Sequence, residues 1–306
     1  MRRSRGLLDR TAGLVVVLGV AGLVVGAGVA PFVWGAVSGP AGSVAVVEMH
    51  GTITTETAKA AIDDLREARQ NESIQAVVLD IDSPGGSAAA SEQLYLAVKR
   101  TQQELPVVAA VTGMAASGGY YMAAPADHIY VTPASAVGSV GVRGVVPPEG
   151  VPPGEIVTGP DKGTTATTAE VRRRVESLRR AFVGSVLAER NESLELAAEE
   201  LSYAKVYSGA RGVELGLADS VGGLDTAIAD AAHAAGLGDY EVVRMESPRP
   251  SALSGLGLSD AADRGRSAEA TFDYRGVDTV QYLMLYGQLD TDRSAAPEEV
   301  TVNGTR

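Results

Sequence analysis

Two stretches of this chain, Gln75–Ile81 (QAVVLDI) and Pro106–Val111 (PVVAAV), are apolar almost without a break, and each runs into a segment dense in glycine. Runs this short and this apolar read as buried strands. Ser43–Met49 (SVAVVEM) precedes them as a third β-rich run. Between the strands the period changes. Ala58, Ile62, Leu65 and Ala68 recur at helical spacing in Thr55–Arg69, and Ala90, Leu94 and Val98 do so after Ser87, which reads as an N-cap. Strands alternating with helices over short connections predict an α/β domain with a mostly parallel sheet.

The C-terminal half continues the helical pattern. Thr167 and Glu170 form a capping box that opens a long helix with Val171, Val175, Leu178 and Phe182 on one face. Arg172, Arg173, Arg174, Arg179 and Arg180 fall mainly off that stripe and read as a solvated face. Gly209–Leu217 and Leu224–Ala235 read as two short helices. From about Glu246 the chain turns polar and reads as a tail, residues 246–306, interrupted by one apolar segment, Val277–Leu289 (VDTVQYLMLYGQL).

The N-terminus is of a different kind. Thr11 to Val47 carries no charge, and Leu14–Val37 is nearly all apolar. That run is long enough for a bilayer core of ~30 Å at ~1.5 Å per residue. Arg2, Arg3, Arg5 and Arg10 precede it, which puts the N-terminus in the cytoplasm and the rest outside the cell membrane. The expected organisation is a cytoplasmic start (1–12), a single transmembrane anchor (13–37), a linker (38–43) and an extracytoplasmic domain (44–245). A cleaved signal peptide is the other reading of the run, although its apolar region is normally only ~7–15 residues.

Composition narrows the chemistry. There is no cysteine, which excludes disulfides, thiolate metal sites and a Cys nucleophile. The three histidines, His50, His128 and His233, are scattered, and neither a metal site nor a cofactor is expected. The net charge is −12 although the first ten residues are positive, so the remainder is strongly acidic. Such a surface argues against nucleic acid as a partner. Acid excess with only four lysines also suits a halophilic setting.

Hydroxyl chemistry remains. Ser117 lies in Gly113–Tyr121 (GMAASGGYY), directly after a buried strand and before a helix of small residues. A serine at such a turn sits at the positive end of a helix dipole, among backbone N–H groups able to hold an oxyanion. The segment reads equally well as a Gly-rich turn with Ser117 as an N-cap. Ser83-Pro84-Gly85-Gly86 leaves another strand end, and ligand sites of α/β sheets gather at carboxyl ends of strands. It too is compatible with a plain tight turn. A serine needs a base. The histidines read as structural. Lys59 and Lys99 lie on polar helix faces and Lys205 reads as surface, so elimination favours Lys162.

The chain resembles the signal peptide peptidase A family, peptidase family S49. The resemblance is carried by SPGG at 83–86, AASGGYY at 115–121, GSVGV at 138–142, a G-x-x-K at 159–162 and VYSGARGVELGLADSVGG at 206–223, over about residues 44 to 235. It implies a crotonase/Clp-protease-like α/β fold and a Ser–Lys dyad, with Ser117 as nucleophile and Lys162 as general base. Ser139 is implied as a hydroxyl beside the lysine, and Gly118, Gly85 and Gly86 as oxyanion donors. Val277–Leu289 is similar to the family's C-terminal YLYG-like element. The stretch between GSVGV and Lys162 is shorter and richer in proline than the family pattern, and Pro160-Asp161 precede the lysine. The expected activity is endopeptidase action on hydrophobic peptides such as signal-peptide remnants, in a homo-oligomer. A Ser–Lys protease of the stomatin-clipping kind, an acyl-CoA enzyme of crotonase type and a non-catalytic scaffold are the alternatives.

Overall fold

The computed structural model describes residues 42–145, 167–245 and 281–287. The apolar run at 13–37, Lys162 and most of the polar tail lie outside the described residues. No helix among those described is long and apolar enough to cross a membrane.

The elements follow one another in βα order. Strand β1 (Ser43–His50) leads to helix α1 (Thr55–Gln70). Then come β2 (Ile74–Ser83), a short β3 (Gly85–Ser87) and α2 (Ala88–Gln102). Strand β4 (Val107–Ala116) runs into α3 (Gly118–Ala123). Three short strands follow: β5 (His128–Val131), β6 (Ala136–Gly138) and β7 (Arg143–Val145). Helix α4 (Thr168–Arg190) precedes α5 (Ala198–Leu201), β8 (Val206–Ser208) and α6 (Gly209–Glu214). The remainder is β9 (Ser220–Val221), α7 (Leu224–Ala234), β10 (Glu241–Met245) and β11 (Gln281–Leu285).

The main sheet has the order β10-β1-β2-β4-β5-β9, with β6 beside β4 and β8 beside β6. Every pair along that path is parallel, and only β6–β8 is antiparallel. This is the mixed α/β arrangement with a mostly parallel sheet and flanking helices that the strand–helix alternation predicts, and it fits the crotonase/Clp-protease-like expectation.

Both faces of the sheet are covered, which is why its central strands carry no polar alternation. Val44, Val46, Ala76, Val78, Val108 and Ala110 pack beneath Ala227, Ile228, Ala231 and Ala232 of α7. The alternate residues, Ala45, Val47, Val77, Leu79, Val107 and Ala109, face the larger core with Leu65 of α1, Leu94 and Val98 of α2 and Phe182 of α4. Burying a Val or Leu side chain contributes about 1.5–3 kcal/mol, so these three adjacent strands form the rigid floor from which the site projects.

The helix ends follow their sequence signals in two places. Thr167 caps α4 and Glu170 reaches back to the Thr167 N–H at 2.8 Å. Thr54 caps α1 in a second reciprocal box with Thr57. Ser87 holds the expected N-cap position of α2. Its side chain makes no cap bond. Its backbone is drawn into β3 instead, where its N–H donates to the Ile53 oxygen at 2.8 Å. The residue is thereby spent on strand pairing.

Candidate active site

β4 is long enough to serve two neighbours. Val108–Val111 pair with β5, while Met114–Ala116 pair with β6. The far end of β4 is thus held after β5 has left, and Ser117 N donates to Gly138 O at 2.8 Å. Here the backbone turns sharply into α3 with Ser117 at φ 54° and ψ −117°. Positive φ costs a non-glycine residue on the order of 1–3 kcal/mol. The surroundings enforce it: Tyr120 is fully buried with its hydroxyl on Leu217 O at 2.8 Å. Tyr121 stacks on Tyr95 and against Phe182, with centroids 4.5 Å apart in each case.

The Ser117 hydroxyl makes no cap bond to the helix. The serine is 1% exposed, and its Oγ has a long contact, 3.4 Å, to Gly141 O. It borders a cavity of about 500 Å³ that Ser139, Gly141, Arg143, Arg179, Ala204 and Leu285–Gly287 also line. Among the described residues the non-glycine positions with positive φ are Ser117, Ser139 (55°) and Ala204 (55°), and all three line this cavity. Strain of this kind collects where function over-determines the backbone.

Ser139 also lines the cavity, directly after the Gly138 whose oxygen accepts from Ser117 N, and its own N–H donates to Lys205 O at 2.7 Å. Lys205 therefore touches the site through its backbone only. Its ammonium lies 3.3 Å from Glu200 and half exposed. Lys59 and Lys99 pair with Asp63 and Glu189. No lysine is among the described residues lining the cavity. The histidines are elsewhere: His50 contacts Asp80 at 3.4 Å, His128 contacts Ser220 at 3.0 Å, and His233 lies in α7.

The SPGG turn comes to the same place from β2. Gly85 has φ +92°, a conformation that L side chains rarely adopt. A methyl group there would lie 2.6 Å from Gly118 N and 2.0 Å from Met284 O, and one on Gly118 would lie 3.1 Å from the same Met284 oxygen. Both glycines thus crowd one carbonyl. Gly85 O accepts from Ile53 N at 2.9 Å, and Gly85 N donates to Ser83 Oγ at 3.2 Å. Since consecutive residues of a strand point their backbone groups to opposite edges, Gly86 turns toward β11, where it stands opposite Met284.

β11 comes from the apolar segment within the polar tail. It lies antiparallel to β3 on one side and to β7 on the other, forming a separate three-stranded sheet. Leu283 and Met284 are 1% and 2% exposed. Arg174 of α4 stands over the Tyr282 ring at 5.1 Å, and Arg143 donates to Gly287 O. Sequence reading did not anticipate this strand in the site. Its signal was a short apolar island in an otherwise polar stretch.

The family model for Peptidase family S49 matches residues 99–147 and 155–238. A putative protease of Synechocystis sp. is 31% identical over 224 residues, covering 68% of this chain and 80% of that protein. The chain belongs to peptidase family S49. It is therefore a serine peptidase by family. Protease 4 of Salmonella typhi is 32% identical over 224 residues, and the chloroplastic serine protease SPPA of Arabidopsis thaliana is 29% identical over 262. The match takes in 66% and 77% of this chain but 36% and 38% of those longer proteins. A solved structure of a membrane-bound stomatin-specific protease aligns at 18% identity with a TM-score of 0.44, over 62% of this chain and 84% of that one.

Proposed function

We propose that the chain is a membrane-anchored endopeptidase that cleaves extended hydrophobic peptides, such as signal-peptide remnants, with a Ser117–Lys162 dyad on a crotonase-like scaffold. The observation that carries the reading is that Gly118, directly after the strained and buried Ser117, and the Gly85-Gly86 turn crowd one peptide carbonyl, that of Met284. The substrate would take the place β11 now holds, adding a strand between β3 and β7.

In this mechanism a neutral Lys162 amine removes the Ser117 proton as Oγ attacks the carbonyl. The N–H groups of Gly118 and Gly86 hold the developing oxyanion, each worth about 3–4 kcal/mol of barrier. Gly85 shapes the turn while its own N–H stays on Ser83. Lys162 then protonates the leaving amine, and water resolves the acyl-enzyme. Ser139, on the same cavity, would orient the lysine and share its proton. The assignment of Lys162 rests on the sequence resemblance and on the other three lysines being ion-paired away from the cavity. Anchoring through residues 13–37 and assembly into a homo-oligomer complete the proposal.

The test is hydrolysis of an apolar peptide by the full-length chain beside Ser117→Ala and Lys162→Ala. Loss of activity in both, with the circular dichroism unchanged, is the expected result. Activity surviving in Ser117→Ala would overturn the nucleophile. Activity surviving only in Lys162→Ala would move the base elsewhere.

A further inference from the structure

The path of a peptide beyond the attacked carbonyl is marked by the chain's own residues. Beyond Met284 the segment stays against the SPGG turn, with Leu285 opposite Gly85 and Tyr286 N donating to Pro84 O at 2.8 Å, and Leu285, Tyr286 and Gly287 line the cavity that holds Ser117. At its third residue the segment meets a guanidinium: Arg143 Nη1 donates to the Gly287 carbonyl oxygen.

Two arginines line this cavity, and they differ in one respect. Arg179 is already taken, its Nε and Nη2 forked onto the Glu176 carboxylate at 2.8 and 2.7 Å. That pairing holds the Glu176 carboxyl well below the usual range, chiefly through the Arg179 bonds and next through Arg180. Arg143 has no carboxylate partner among the described residues, and its observed contact is to one neutral oxygen. A guanidinium offers five donors in a planar fork that matches a carboxylate with two parallel bonds. Among the described residues a backbone carbonyl is the one group that engages the Arg143 guanidinium, which leaves most of that capacity free of any described partner. In a chain of net charge −12, a cation on the cavity of the candidate nucleophile with no carboxylate partner among the described residues is a selective feature.

We infer that Arg143 is a specificity-determining residue on the leaving side of the substrate, selecting peptides that carry a carboxylate three residues beyond the scissile bond. This rests on the reading that Ser117 attacks the carbonyl occupying Met284's position. The carboxylate is either the chain terminus of the substrate or an Asp or Glu side chain at that position, and the guanidinium fork serves both. Because Arg143 is exposed, the preference is modest and falls with ionic strength.

The experiment uses three apolar peptides of one sequence. The first ends in a free acid at the third leaving-side residue, the second in an amide there, and the third continues past a Glu at that position to an amide. Their affinities for full-length Ser117→Ala are measured by fluorescence anisotropy, alone and combined with Arg143→Gln or Arg143→Lys. The free acid, the Glu peptide or both should bind roughly five-fold more tightly than the plain amide. Which of them does so identifies the carboxylate's source. Arg143→Gln should erase the difference and Arg143→Lys keep part of it. Equal binding of all three, or a preference that survives Arg143→Gln, overturns the inference. Hydrolysis of the same peptides by the wild-type chain is followed in parallel. Its absence would count against Ser117 as nucleophile, while the binding comparison would still decide the role of Arg143.

Discussion

Met284 stands opposite Gly86 across the antiparallel pair of β11 and β3, with its carbonyl oxygen crowding Gly85 and Gly118. A strand edge with an unpaired N–H is a binding surface, and here the chain's own segment covers it. On the proposed mechanism any external peptide must displace that segment. Occupation and catalysis are then in competition, and the strength of the β11 contacts sets an apparent KM.

That competition is open to substitution. Met284 is 2% exposed, so Met284→Asp would bury a carboxylate without a partner, at a cost of several kcal/mol. The segment should leave the groove instead. The expected outcome is a KM for an apolar peptide at least several-fold lower than wild type, with kcat little changed. An unchanged or higher KM, measured at equal fold content, would show that β11 is part of the working site.

Two glycines with positive φ make an internal control. A Cβ on Gly85 would strike Met284 O at 2.0 Å and Gly118 N at 2.6 Å, whereas one on Gly51 (φ +77°) would meet nothing within 4 Å. Gly51→Ala should cost about 1 kcal/mol of stability and leave activity intact. Gly85→Ala should lower kcat on the order of 100-fold by displacing the carbonyl from its donors. Thermal unfolding and steady-state rates on both variants separate strain from catalysis. Equal activity in the two would dissociate the SPGG turn from the chemistry.

Much of this layout is legible in the sequence, for identifiable reasons. The central strands announce themselves because burial on both faces leaves no polar residue among Val77–Leu79 or Val107–Val111. The capping box at Thr167 is local, so a three-residue spacing suffices to find it. Ser117 and the SPGG turn stand out through glycine demands that come from backbone contacts nearby in space. What escapes is non-local. Nothing near Leu283 or Met284 says that a segment almost 200 residues after Gly86 pairs with it. No local pattern singles out Arg190 either, which is 5% exposed and clamped to Asp219.

The Arg190–Asp219 pair ties α4 to the loop before β9. Arg190 donates to both Asp219 oxygens, at 3.0 and 2.6 Å, and to Gly216 O at 3.2 and 3.3 Å. Burial works against the guanidinium's charge, but the Asp219 bonds hold its pKa above the usual arginine value on balance. Asp219 also accepts from Ile129 N at 2.7 Å. Arg190→Met removes one partner and leaves the other's charge poorly solvated, which should cost about 3–5 kcal/mol in denaturant melts. Arg190→Met with Asp219→Asn should cost less than the sum of the single changes. Strict additivity would mean the two residues act separately.

The tyrosines beneath the site give the fold an alkaline limit. Burial raises Tyr120, and burial followed by the Glu189 hydrogen bond raises Tyr95, both well above the ordinary value of 10.0. Burial raises Tyr121 as well. In the unfolded chain all three ionise near pH ~10. Above that pH the unfolded state releases protons that the folded state keeps. Their contribution is therefore fully present below about pH 10 and is lost as pH rises toward the folded values. Unfolding temperature should be flat from about pH 8 to about pH 9.5 and then fall. Tyrosinate absorbance from these residues should appear together with loss of the circular dichroism signal. Tyr120→Phe removes one ionising group and the bond to Leu217 O, so it should lower stability by about 1 kcal/mol near neutrality and make the alkaline decline shallower. Ionisation of all ten tyrosines while the dichroism stays native would show that the layer under Ser117 admits charge, and would remove the basis for its holding the strained turn.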